Sequence, residues 1–160
     1  MKNKILYISR AAMIAALYVV LTELSNLFGL ASGVIQFRLS EALCVLPVFS
    51  SAAIPGLTVG CIIANLLTGA PIWDVIFGPL ATLIGAVGAY LLRRYIWLSP
   101  LPTIASNALI IPLVLRYAYS VNDAFIFLVA TVGLGEIVCC GVLGTVLLIA
   151  LKPVSRRLFG

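Results

Sequence analysis

Long apolar runs, broken by short polar or small-residue interruptions, set the pattern of this chain. The runs lack the polar face of a water-exposed helix, and a bilayer crossing takes about 20 apolar residues. The pattern predicts six helical segments, over 5–24, 39–49, 55–67, 72–92, 101–119 and 124–151. The stretches Ser50–Gly56, Thr68–Pro71 and Ser120–Asp123 read as turns by composition. The second segment is short and contains Pro47; Pro79 is expected to kink the fourth. Small residues recur four apart, as Ala11/Ala15 and Ala12/Ala16, as Gly56/Gly60/Ala64, and as Ala81/Gly85/Ala89. Such stripes let helices approach closely in lipid, which supplies no hydrophobic force between them.

Composition sharpens this into a class. The 160 residues are 63% hydrophobic and 9% charged, with mean hydropathy +1.22. A soluble domain runs nearer roughly 45–50% apolar and about 25% charged. The expectation is an all-α integral membrane protein, one transmembrane domain over 1–160, with no room for a soluble domain. The net charge of +5 is not a nucleic-acid signal, because the basic residues sit at segment ends. With six crossings and an inside N-terminus, one side holds Lys2, Lys4, Arg10, Arg93, Arg94, Lys152, Arg156 and Arg157. The other holds Arg38 and Arg116. That asymmetry places both termini in the cytoplasm. The basic, then apolar, N-terminal stretch could mimic a signal peptide; with membrane segments throughout, an uncleaved first crossing is expected.

Chemistry is sparse. Cys44, Cys61, Cys139 and Cys140 lie in apolar runs without a CxxC pattern and are expected to be small core residues, not a disulfide or metal site. The absence of histidine removes the commonest general base and metal ligand. No GxxxxGK[ST] loop is present, so active transport would draw its ATP hydrolysis from another polypeptide.

The stretch Gln36-Phe37-Arg38-Leu39-Ser40-Glu41 sets a guanidinium and a carboxylate beside long apolar runs. A charge at mid-bilayer costs roughly 2.5–3.5 kcal/mol, falling towards the headgroups, so it needs a partner or a ligand. One reading is an interfacial cap in which Arg38 and Glu41 pair with each other. The other is a ligand site. Topology puts Glu23, Gln36, Arg38, Glu41, Asn65, Trp73, Asp74 and Tyr119 in the outer half, with Asn107 and Glu136 deeper. Asp74 could instead be a helix cap, and Glu136 a protonated group bonded within the bundle. Within this group acids outnumber bases, which favours a flat, donor-rich or cationic solute. A carboxylate can accept two parallel N–H bonds, a second can pair an ammonium, and an aromatic can stack.

Several motifs resemble the QueT family. They are Gln36–Leu43, Gly60-Cys61-Ile62-Ile63-Ala64-Asn65-Leu66, Asp74-Val75-Ile76-Phe77-Gly78, Leu80-Ala81-Thr82-Leu83 and Gly135-Glu136. Pro79 departs from the family pattern, in which a small polar residue is more usual. The resemblance implies a six-helix substrate-binding (S) component of an energy-coupling-factor (ECF) importer in the bacterial cell membrane. Its implied partners are a transmembrane coupling subunit, docking on Ala11, Ala12, Ala15 and Ala16, and two cytoplasmic ATPases. The implied ligand is a queuosine precursor, a 7-deazaguanine such as aminomethyl pre-queuosine or queuine. The loop between the first two crossings would act as a lid.

Combining both lines, one of Glu41 and Glu136 accepts from the base N–H edge, and Asp74 or the other pairs the ammonium. Asn65, Asn107 and Gln36 supply amide contacts, Trp73 or Tyr119 stacks, and Arg38 orients Glu41 or donates to the ring carbonyl. No cofactor, metal or catalytic residue is expected. The competing readings are an S component for thiamin or riboflavin, a ligand-free packing subunit, and a small intramembrane enzyme. The enzyme lacks a histidine, a cysteine beside a base, and an acidic metal cluster.

Overall fold

The computed structural model describes residues 2–30, 37–118 and 123–155, which are helical with no strand among them. The α-helices are α1 (Lys2–Leu27), α2 (Ala53–Leu67), α3 (Ile72–Leu91), α4 (Leu101–Tyr117), α5 (Phe125–Glu136) and α6 (Gly144–Leu151). A 3-10 helix covers Leu39–Val48, and a π-helical segment, Ile137–Leu143, joins α5 to α6. Four stretches are long and apolar enough to cross a membrane: Lys4–Leu27, Ile72–Leu91, Ile96–Tyr117 and Phe125–Leu151. Leu39–Val48 and Ala53–Leu67 are shorter apolar helices. Large side chains such as Ile5, Ile8, Leu91 and Ile126 point outwards, as they would against hydrocarbon.

The second expected segment differs in kind from an ordinary crossing. A 3-10 helix rises about 2.0 Å per residue, so these ten residues reach about 20 Å where an α-helix would reach about 15 Å. Long 3-10 runs are uncommon, and neighbours hold this one. Ser25 Oγ accepts from Leu39 N–H at 2.9 Å, and Thr22 Oγ1 donates to Ser40 Oγ at 2.9 Å. Ser40, Glu41, Leu43, Cys44, Val45, Leu46 and Pro47 are all buried, packed among α1, α3, α6 and the π segment. α3 runs unbroken through the buried Pro79.

Close approaches use the small residues. A Cβ on Gly60 would lie 2.8 Å from Tyr18 Cβ and 3.0 Å from the Ala15 Cα. One on Gly56 would lie 2.8 Å from the Ala11 carbonyl oxygen. Ala11 and Ala15 therefore serve the α1–α2 contact inside this chain, and only Ala12 and Ala16 of the alanine quartet are exposed. That corrects the expectation that all four face a partner: the two pairs lie on adjoining faces of α1, and α2 occupies one.

The cysteine expectation is corrected as well. Cys44 and Cys140 form a disulfide, 96 residues apart in sequence, with Cα atoms 6.3 Å apart. It joins the 3-10 helix to the π segment, which Gly144 lets approach; a Cβ there would sit 3.2 Å from Val45 Cγ1. Cys61 and Cys139 are free and buried.

Candidate functional site

The 3-10 helix carries Arg38 at its N-terminal boundary and Glu41 in its first turn. Three helices complete a small polar cavity around them. α3 contributes Asp74, Gly78 and Thr82, α4 contributes Asn107, Ile111 and Leu115, and α5 contributes Val132 and Glu136. Each set is spaced four apart, which places its members on one helix face. The cavity volume is about 60 Å³.

Each carboxylate is held differently. Glu41 is 4% exposed, and its Oε1 accepts from the Tyr18 hydroxyl at 2.6 Å. Glu41 is thus anchored from α1, and Arg38 lines the same cavity as Glu41 and Asp74. Glu136 Oε1 accepts from Asn107 Nδ2 at 2.9 Å. Glu136 Oε2 is buried without a hydrogen-bond partner among the described residues. A buried acceptor in that state costs about 1–3 kcal/mol, more when charged, so it is poised to take a donor. Asp74 stands in the first turn of α3, where the helix dipole favours a negative charge.

The other expected contacts separate. Asn65 is buried behind the cavity wall: its Nδ2 donates to the Asp74 carbonyl oxygen at 2.8 Å. It fixes the start of α3 against α2 rather than facing the cavity. Trp73 follows from helical phase, since neighbours on a helix point about 100° apart. With Asp74 turned inwards, Trp73 stacks on Phe77 at 6.0 Å between ring centroids and lines an outer apolar groove with Leu80, Ile110 and Leu113. Gln36 and Tyr119 lie outside the described residues.

Sequence reasoning missed Tyr18, Thr82 and the hydroxyls of Thr22 and Ser25. A signal for three of them was present. Tyr18, Thr22 and Ser25 stand at i, i+4 and i+7 on α1, a polar stripe that faces the 3-10 segment. Thr82 gives little signal, because a threonine can satisfy itself within its helix, here on the Gly78 carbonyl at 3.0 Å.

Apolar helices around a small cavity lined by three carboxyl groups, one guanidinium and an amide define a helical protein of membrane-protein character whose buried charges gather in one place. Residues 8–153 match the family described as QueT transporter, and the chain belongs to that family. Among curated proteins, the queuosine precursor transporter QueT of Lactococcus lactis subsp. cremoris (strain MG1363) is 40% identical over 95 residues. That match covers 59% of this chain and 56% of the relative, so the chain spans about half the length of the curated protein it matches. No solved structure matches.

Proposed function

We propose that the chain is the substrate-binding subunit of an ECF-type importer and captures a queuosine precursor of the 7-deazaguanine class. The observation that carries this reading is the unpartnered, buried Glu136 Oε2, on a residue that lines one cavity with Glu41 and Asp74. Glu136 accepts from the N–H edge of the base while Asn107 holds its other oxygen. Asp74 pairs the aminomethyl ammonium. Glu41, steadied by Tyr18, supplies a second acceptor, and Arg38 donates to the ring carbonyl. Family membership supports the same class of solute, since the Lactococcus relative is named for a queuosine precursor.

The walls part on binding. About 60 Å³ is well below the roughly 300–1,000 Å³ usual for ligand sites, so a bicyclic base requires the helices to separate. In this reading the chain is a multi-pass protein of the bacterial cell membrane with both termini cytoplasmic, following the basic residues. The exposed Ala12 and Ala16 face of α1 meets the coupling subunit, and partner ATPases supply the energy. The test is mass spectrometry of the solute that co-purifies with the chain expressed in a queuosine-making host. A 7-deazaguanine is expected; thiamin, riboflavin or another solute bound stoichiometrically overturns the assignment.

A further inference from the structure

A second polar cavity, of about 320 Å³, opens among the start of α1, the end of the 3-10 helix, the turn before α2 and the end of α3. Tyr90 stands 16 residues beyond Asp74 on α3, about 24 Å along the helix, so this site is separate from the acid-rich pocket. Its chemistry is the reverse. Arg10 and Arg93 line it with Tyr7, Tyr90, Ser50 and Ser51, and among the described residues no carboxylate lines it.

The donors are arranged. Arg93 Nη1 donates to Tyr90 OH at 2.8 Å, and its guanidinium also lies 4.6 Å from the Tyr90 ring centroid. That fixes the cation at the cavity and leaves the Tyr90 hydroxyl proton to donate elsewhere. Tyr7 OH donates to the Ser51 carbonyl at 3.3 Å, closing one wall. Ser50 Oγ accepts from Ala52 N–H at 3.3 Å, which leaves its own proton available. Two guanidiniums and hydroxyl donors fit a phosphate oxyanion.

The surroundings favour a lipid as its source. Tyr7, Tyr95 and Trp97 are exposed at this end of the bundle, as aromatic residues are at the headgroup level, and Ile8 and Leu91 are exposed beside them. A free anion would need no apolar rim. Basic pockets between membrane helices hold anionic headgroups in this way. We infer that this cavity is a phosphate site, occupied by the headgroup of an anionic phospholipid whose chains lie along α1 and α3. The site stands whether or not the acid-rich pocket takes a deazaguanine.

The test uses the purified full chain in a neutral detergent. Its melting temperature is followed against short-chain phosphatidylglycerol, short-chain phosphatidylcholine and inorganic phosphate. Phosphatidylglycerol is expected to stabilise saturably, phosphatidylcholine not. Arg93→Gln should weaken the response about fivefold, the contribution of roughly one basic residue at an anionic surface. Arg116→Gln, at an exposed arginine on α4, should leave it unchanged. Inorganic phosphate stabilising as well as the lipid at equal concentration would keep the phosphate site and remove the lipid as its source. Equal responses to the two lipids with no effect of phosphate would overturn the site. So would an Arg93→Gln response equal to the parent's, as expected if the cavity instead receives a partner protein's side chains.

Discussion

Tyr18→Phe probes how the acid-rich pocket is held. Tyr18 is 1% exposed, and its hydroxyl reaches Glu41 Oε1 at 2.6 Å, the length of an O–H bond to a carboxylate. Phenylalanine fills almost the same volume, so packing barely changes. The cost is a buried carboxylate oxygen without its donor. Hydrogen bonds to charged groups contribute about 1.5–3 kcal/mol. For a chain of this size that corresponds to a fall of roughly 3–12 °C in melting temperature. A double-mutant cycle isolates the bond: Tyr18→Phe is measured in the parent and in Glu41→Leu, by thermal unfolding in one detergent. A coupling of at least about 1 kcal/mol is expected for groups in direct contact. Additivity within about 0.5 kcal/mol would refute the argument, because the hydroxyl would then be serving something other than Glu41.

Other consequences follow from the packing. Gly60→Ala should destabilise by about 1–3 kcal/mol, because its Cβ meets Tyr18 and the Ala15 backbone; unchanged thermal stability would contradict the close α1–α2 approach. Asn65→Ala should cost about 1–3 kcal/mol in unfolding experiments, since the Asp74 carbonyl loses its donor. Alkylation of denatured, unreduced protein should label Cys61 and Cys139 but spare Cys44 and Cys140. Labelling of all four by mass spectrometry would rule out the bridge.

Much of the helical architecture is legible in the apolar runs, because glycine, proline and short polar turns punctuate them. The type of the second segment is not. Pro47 and the shortness of 39–49 set this segment apart from the other runs, yet the 3-10 geometry depends on Ser25 and Thr22, which hold its first turn from another helix. The disulfide is equally hidden: Cys44 and Cys140 meet only once the 3-10 helix lies on the π segment. Among the polar residues, Glu41, Asp74, Asn107 and Glu136 stand out because each is conspicuous in an oily run, and they do share a cavity. Trp73 and Asn65 are just as conspicuous but turn elsewhere. Helical phase decides that for Trp73, and a backbone carbonyl in need of a donor decides it for Asn65. The alanine quartet carries the same ambiguity, since a small-residue stripe suits an internal neighbour as well as an external one.

Calorimetric titration of the purified chain with aminomethyl pre-queuosine, beside Glu41→Gln and Glu136→Gln, tests the claim that buried acids hold the solute. The parent should bind saturably, and each glutamine variant should bind at least about tenfold more weakly, a loss of about 1.4 kcal/mol. Glu136→Gln keeps an oxygen for Asn107 to donate to, so its fold should persist and the loss should appear in binding alone. Affinities of both variants within about twofold of the parent, some 0.4 kcal/mol, would take these carboxylates out of the recognition site.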